Sequence, residues 1–143
     1  MPKTILLVED FEDDAILFKL ALNQAGVVNS IITVATTEEA ISYLLGDGPY
    51  ADRTAHPLPT VICVDLKLNG RDGLHLLGWL NIFPQFNETL VIVLSGYHEL
   101  KEVRAAYGMG ADSFLSKPIH PKDVENLIRA YPQYWDFKRV DHL

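Results

Sequence analysis

The chain has 143 residues, a length that fits one domain with one hydrophobic core. Hydrophobic residues make up 48% of the sequence and charged residues 22%, which excludes a disordered or fibrous chain. The formal net charge is −7, and Lys138-Arg139 is the only adjacent basic pair, so we expect no direct binding of nucleic acid. No apolar run reaches membrane-spanning length, and the one before Glu9 is too short for a signal peptide. We therefore expect a cytoplasmic protein without a membrane segment.

Five short apolar runs, rich in β-branched residues, predict strands. Most of them are apolar at consecutive positions, which is typical of strands that are covered on both faces. The runs are Thr4–Val8 and residues 31–35, 60–64, 90–94 and 112–115. Cys63 lies inside the third run, and we interpret it as a small buried hydrophobic residue and not as a redox centre.

Segments with helical spacing follow these runs. Caps and terminal glycines set the predicted bounds. The first helix carries apolar residues from Ala15 to Ala25 and ends at Gly26, and the second is capped by Thr36 and stops near Gly46. The third is predicted to start near Asp72, the fourth runs from about Tyr97 to Tyr107, and the fifth begins at Pro121.

This alternation predicts an α/β fold, a doubly wound five-stranded parallel sheet with five helices distributed over both faces. Such a flavodoxin-like sheet has the strand order 2-1-3-4-5. Ligands bind beyond the carboxyl ends of the strands in this architecture. The residues that follow each strand are therefore where we expect chemistry.

Two segments fall outside the alternation. Residues 47–59 are long for a connection, so they form either a mobile loop or a recognition feature. Residues 132–143 contain Tyr134, Trp135 and Phe137, so we divide the chain into a domain at 1–131 and an aromatic tail at 132–143. The tail could pack on its own domain, cover an output face or form a dimer seam.

Polar residues follow four of the predicted strands: Glu9 and Asp10 the first, Asp65 the third, Ser95 the fourth and Lys117 the fifth. Crowded carboxylates repel one another unless a cation joins them, and hard oxygen ligands suit Mg²⁺. With the metal and the Lys117 ammonium nearby, an Asp65 oxygen can attack phosphorus, and Ser95 can donate to the product.

Each of these residues has an ordinary structural interpretation when it is taken alone. Glu9 and Asp10 are common at a strand-to-helix turn, and Ser95 could be a helix cap. The histidines show no metal-ligand spacing and are interpreted as surface or packing residues; they are His56, His75, His98, His120 and His142.

Taken together, these residues resemble the receiver domains of response regulators, from Thr4 to about Ala130. The resemblance is carried by ILLVED at 5–10, VDLKLNGRDG at 64–73, LSG at 94–96 and GADSFLSKP at 110–118. It implies that Asp65 accepts a phosphoryl group from a sensor histidine kinase, and that the protein signals and is not an enzyme.

The resemblance also implies roles for the other residues. Mg²⁺ would be held by Glu9, Asp10, Asp65 and the backbone carbonyl of Lys67. Lys117 would contact the phosphoryl group, and Lys117-Pro118 would be a cis peptide.

A switch is implied as well, with Ser95 as its hydroxyl and Phe114 as its aromatic residue. From periodicity alone, Phe114 is a core strand residue. The switch would alter the face formed by the fourth helix, fifth strand and fifth helix, and so signal to a downstream protein or a phosphorelay partner.

The sequence departs from the family at Asn69 and Arg71, where Pro and Met are frequent. Lys67 and Tyr97 flank the path by which water would reach the phosphoryl group, so we predict slow self-dephosphorylation. Residues 46–52 and the aromatic tail look like regulators paired with bacterial and cyanobacterial phytochromes, which implies a phytochrome kinase and a possible homodimer.

Two other functions remain open. A phosphohydrolase would usually have a second Asp two residues after the nucleophile, where this chain has Lys67. A degenerate receiver that only binds proteins is disfavoured, because all five site positions hold competent residues. A flavin- or nucleotide-binding fold is also disfavoured, since no glycine-rich phosphate loop follows the first strand.

Overall fold

A computed structural model describes residues 2–68, 71–96 and 100–138. The strands in these ranges are β1 (Thr4–Val8), β2 (Ser30–Val34), β3 (Val61–Asp65), β4 (Lys67–Leu68), β5 (Arg71–Asp72), β6 (Leu90–Ser95) and β7 (Ser113–Ser116). The helices are α1 (Glu12–Gln24), α2 (Thr37–Leu45), α3 (Leu74–Ile82), α4 (Leu100–Gly108) and α5 (Pro121–Ala130).

The main sheet has five parallel strands in the order β2-β1-β3-β6-β7. This confirms the predicted fold and strand order. In register, Val8 lies beside Val64, Asp65 beside Leu94, and Ser95 beside Ser116. The carboxyl ends of β1, β3, β6 and β7 therefore meet at one edge of the sheet.

The strands alternate their side chains between two apolar layers. Leu6, Val8 and Ile62 face the layer under α2, α3 and α4, whereas Ile5 and Leu7 face the layer under α1 and α5. Both layers are buried, which explains the unbroken apolar runs in the sequence. Cys63 is fully buried in the second layer, as expected, and burial raises the pKa of its thiol.

The helix bounds follow the capping signals closely. The Thr36 hydroxyl accepts a hydrogen bond from the Glu39 N–H at 3.1 Å, and Gly46 ends α2 in the left-handed conformation at φ 71°. Pro121 is the first residue of α5, as predicted. There the Asp123 carboxylate accepts from the His120 N–H at 2.9 Å.

The predicted third helix is confirmed, but Asp72 does not cap it. Asp72 belongs to the short antiparallel pair of β4 and β5, and α3 begins at Leu74 with Gly73 as its N-cap. Two-residue strands leave no periodic signal in a sequence, so this pair could not be seen. The predicted start of the fourth helix at Tyr97 lies outside the described residues.

Residues 47–59 are held by Arg53. Its guanidinium donates to the backbone carbonyls of Tyr43, Leu44 and His56 at 2.7–3.0 Å, and so satisfies carbonyls at the end of α2. The segment also contains a short 3-10 turn at Gly48–Tyr50. Tyr50 and His56 contact Tyr43 of α2 and each other with tilted or edge-on rings, which makes the segment a defined surface feature.

Residues 132–138 of the aromatic tail pack on the domain. Trp135 is only 2% exposed and belongs to the same apolar layer as α1 and α5. The Lys3 N–H donates to the Asp136 carboxylate at 2.7 Å, and Val27 forms a β-bridge with Phe137. The tail thus closes the amino-terminal edge of the sheet, opposite the edge where the polar residues meet.

Candidate functional site

Four strand ends deliver the polar residues to one place. Glu9 follows β1, its N–H donating to the Val34 carbonyl at 2.9 Å, and Asp65 ends β3. The Lys117 N–H donates to the Ser95 carbonyl at 2.8 Å, which extends the pairing of β6 and β7 by one residue. Lys117-Pro118 is a cis peptide, as the resemblance implied.

The Lys117 ammonium makes three short ion pairs. Its Nζ lies 2.7 Å from Glu9 Oε2, 2.7 Å from Asp14 Oδ2 and 2.8 Å from Asp65 Oδ2. An ammonium group has three protons to donate, and each of these carboxylates accepts one hydrogen bond. The Lys117 side chain is 14% exposed, so these pairs are shielded from bulk water.

The pKa of Glu9 is raised to about 7 from an ordinary value of 4.5. Burial is the main cause, since the Glu9 side chain is only 1% exposed, and repulsion from Asp65 adds to it. The hydrogen bonds from Lys117 and from the Phe11 N–H act in the opposite direction but do not cancel burial.

The pKa of Lys117 is also raised. Burial alone would lower it, but the hydrogen bonds to Asp14, Asp65 and Glu9 together outweigh burial. Lys117 is therefore a fixed positive charge at neutral pH.

Glu9, Asp10 and Asp65 fit a divalent metal ion. One carboxylate oxygen from each lies within 4.8 Å of the others, and these three are the metal-competent cluster of the described residues. Hard oxygen donors suit Mg²⁺ or a similar ion, and an ion there would offset both the burial and the repulsion from Asp65 that raise the pKa of Glu9. The backbone carbonyl of Lys67 stays a predicted ligand.

The loop after Asp65 is tightly folded. The Lys67 N–H donates to Asp65 Oδ1 at 2.9 Å, which orients the carboxylate, and the Gly73 N–H donates to the Leu66 carbonyl at 2.7 Å. The Lys67 side chain turns outward and pairs with Glu102 of α4 at 2.8 Å. Asn69 and Tyr97 lie outside the described residues.

The two predicted switch residues occupy neighbouring strands. Ser95 is fully buried at the end of β6, one position beyond Leu94, the residue that pairs with Asp65. Phe114, in β7, is half-buried and packs against the apolar layer that contains Ala106 of α4. Both the core interpretation and the switch interpretation of Phe114 agree with this placement.

One residue of the site was missed in the sequence. Asp14 lies in the first turn of α1, where an acid is expected simply because it favours the positive end of the helix dipole. The available signal was its spacing: it precedes buried Ala15 and lies four residues before buried Phe18, so it borders the buried face of α1.

The arrangement can support phosphoryl transfer to a carboxylate. Asp65 is 8% exposed and is flanked by a fixed ammonium and by two further acids that suit a cation. Positive charge around a transferring phosphoryl group stabilises its oxygens in the transition state. None of the helices in the described ranges has the length and apolarity needed to cross a membrane.

Comparison with known proteins assigns the family. Residues 5–129 match the response regulator receiver domain. This chain therefore belongs to the response regulator receiver domains, the phosphorylation-controlled modules of two-component signalling.

Three similar proteins are response regulators, and two of them are named as phytochrome or bacteriophytochrome regulators. Response regulator Rcp1 of Synechocystis is 28% identical over 134 residues, covering 94% of this chain and 89% of its own length. The bacteriophytochrome response regulator RtBRR has a TM-score of 0.83 at 30% identity, covering 98% of this chain and 84% of that one. The phosphorylated cyanobacterial phytochrome response regulator RcpA has a TM-score of 0.76 at 27% identity, covering 94% of both chains.

A solved structure of Rcp1 contains a metal. It is the Mn²⁺-bound form, with a TM-score of 0.74 at 27% identity, covering 99% of both chains. The acidic cluster of this chain thus occurs in a family in which divalent metal binding is seen.

Proposed function

We propose that Asp65 is the phosphoacceptor of this response regulator and that a histidine kinase is its phosphodonor. The observation that carries the proposal is the contact of 2.8 Å between Asp65 Oδ2 and the Lys117 ammonium beside the acidic cluster. An Asp65 oxygen forms a bond to phosphorus while the bond between phosphorus and the donor imidazole nitrogen breaks, and the imidazole leaves.

The residues of the chain divide the work. Lys117 supplies fixed positive charge at the phosphoryl oxygens, and the Lys67 N–H keeps the Asp65 carboxylate in place. Glu9, Asp10, Asp65 and the Lys67 carbonyl would hold Mg²⁺. When bound, that ion supplies further positive charge to the transferred group.

The buried Ser95 hydroxyl is proposed to hydrogen-bond the phosphoryl group, and Phe114 to follow its movement. Phe114 has no hydroxyl to offer, so it would act by shape on the surface of α4, β7 and α5. A downstream protein or a phosphorelay histidine would read that surface.

The similarity to RcpA and RtBRR supports a phytochrome kinase as the phosphodonor. We also propose that the protein is cytoplasmic and that it forms a homodimer. Sedimentation with and without beryllofluoride tests the dimer, and a monomer in both states at micromolar concentration would count against it.

The test of the phosphoacceptor is labelling with phosphoramidate and Mg²⁺, followed by intact mass. We expect the wild type to gain one phosphoryl group and Asp65→Asn to gain none. Equal labelling of the two proteins would refute the assignment, and a wild type that stays unlabelled would favour the degenerate receiver.

A panel of histidine kinases from the same organism then identifies the donor.

The phosphohydrolase alternative is tested by a generic phosphate ester. Turnover far above one per protein would support an enzyme.

A further inference from the structure

Asp14 is the third acceptor of the Lys117 ammonium, and neither the acidic cluster nor the proposed transfer gives it a role. Its Oδ2 lies 2.7 Å from Lys117 Nζ, as close as Glu9 and closer than Asp65. Asp14 is 30% exposed, so its charge is only partly screened.

Asp14 differs from the other two acceptors in one respect. Glu9 and Asp65 belong to the cluster that could hold a metal ion, whereas Asp14 does not. A carboxylate that binds a metal ion interacts less strongly with an ammonium group, so a bound ion would compete with Lys117 for Glu9 and Asp65. Asp14 lies outside the metal cluster, so its carboxylate would stay with Lys117.

The fold fixes Asp14 in this position. Buried Ala15 and Phe18 anchor the same face of α1 against the sheet. Asp14, Leu17, Phe18 and Lys117 are among the residues that line a cavity of about 300 Å³. The Asp14 carboxylate therefore reaches the Lys117 ammonium from a helix that buried side chains hold against the sheet.

We propose that Asp14 is a positioning residue that holds the Lys117 ammonium beside Asp65. It acts through Lys117 and does not touch the transferred group. This inference rests on the proposed function of Asp65, but it also makes a claim about Lys117 that can be measured without phosphorylation.

The first test observes Lys117 directly. Lysine ammonium protons that are held by hydrogen bonds exchange slowly and give a ¹H–¹⁵N signal, which is assigned by its loss in Lys117→Ala. We expect this signal in the metal-free wild type and a marked loss or shift of it in Asp14→Asn. An unchanged signal would overturn the proposal, whether or not Asp65 is phosphorylated.

The matched control is Asp13→Asn. Asp13 is exposed in the same first turn of α1, so its substitution removes the same charge and the same interaction with the helix dipole. We expect the Lys117 signal of Asp13→Asn to match that of the wild type.

The second test separates positioning from metal binding. In phosphoramidate labelling, Asp14→Asn should lower the maximal rate at saturating Mg²⁺ by roughly fivefold, because a charge-assisted hydrogen bond is lost at a partly exposed group. The half-saturating Mg²⁺ concentration should stay close to that of Asp13→Asn. A changed Mg²⁺ requirement with an unchanged maximal rate would show that Asp14 tunes the metal site and would reject the positioning role.

The two hypotheses fail in different ways. If Asp65 is not the phosphoacceptor, Asp65→Asn will be labelled as the wild type is. The NMR signal of the Lys117 ammonium would still test the role of Asp14 in that case. If only the inference is wrong, wild type and Asp14→Asn are labelled alike at Asp65.

Discussion

Gly73 and Asp65 are packed so closely that no side chain fits between them. A Cβ atom on Gly73 would lie 2.3 Å from the backbone carbonyl oxygen of Asp65, far inside any real contact. The atom it would meet is backbone and not the end of a flexible side chain. Relief would therefore require the end of β3 to move, together with the carboxylate that it carries.

Gly73→Ala should accordingly lower the free energy of unfolding by about 1–3 kcal/mol, the usual range for overpacking. It should also slow the labelling of Asp65. Urea titration measures the first effect and intact mass after phosphoramidate treatment the second. Gly78→Ala is the control, since its Cβ meets only the flexible end of Met109 and lies within α3. That variant should be neutral or stabilised by up to about 1 kcal/mol, and equal behaviour of the two would contradict the steric argument.

The free energy of unfolding should depend on pH through the ionisation of Glu9. Its pKa is 4.5 ordinarily and about 7 in the fold, so the folded state binds more protons than the unfolded state between these values. The metal-free protein should therefore be most stable below about pH 4.5 with respect to this group. The protein should lose on the order of 3 kcal/mol of stability as the pH rises from about 4.5 to about 7.

Thermal or urea unfolding of wild type and Glu9→Gln, from pH 5 to 8, measures this slope by their difference. The neutral amide cannot ionise, so Glu9→Gln should lack the loss. Added Mg²⁺ should restore stability to the wild type at pH 8, because it binds the ionised form. Parallel pH profiles of the two proteins would show that Glu9 does not titrate in this window.

Lys67 should govern the lifetime of the phosphorylated form. Lys67 lies two positions after Asp65 in the chain, and its ammonium forms an ion pair with Glu102 of α4. Lys67→Ala should open the path of water and shorten the lifetime several-fold, and Glu102→Gln should have the same effect in weaker form. Stability should change by less than about 1 kcal/mol in either variant, because the pair is largely exposed on the lysine side. A wild-type half-life of seconds would already refute slow self-dephosphorylation.

The tail should contribute substantially to stability. Trp135 is 2% exposed, whereas Phe137, two residues later, is 49% exposed. Trp135→Ala should cost about 3–5 kcal/mol, as for other large buried aromatic residues. Phe137→Ala is the matched control and should cost much less. If both variants unfold at the same urea concentration as the wild type, the tail is not part of the core.

The sheet and its chemistry could largely be predicted because the central strands β1, β3 and β6 are buried on both faces, and because polar residues stand at the carboxyl ends of four of the five strands. Consecutive apolar residues such as Ile5 to Val8 leave few alternatives, and parallel pairing brings the ends together. The observed strand β2 begins at Ser30, one residue before the predicted start. Ser30 pairs with Thr4 of β1, and this pairing, rather than hydropathy, sets where the strand begins.

Other features depend on contacts that a linear pattern does not contain. The pairing of Asp14 with Lys117 joins residues 103 positions apart, and any surface acid at a helix start looks the same in sequence. The meaning of the tail was open because Trp135 suits a core and an interface equally well. Arg53 could be recognised as the anchor of residues 47–59 only once the carbonyls of α2 were in place.

The hydrogen bond between Lys3 and Asp136 places both ends of the described chain side by side, at the sheet edge opposite Asp65. A five-residue strand such as β1 separates the two edges, a span of roughly 16 Å. A fluorescent protein fused at either end would therefore leave the acidic site open to a kinase. A circularly permuted chain that joins the two ends through a short linker would have the same advantage, with new ends near the exposed Thr54.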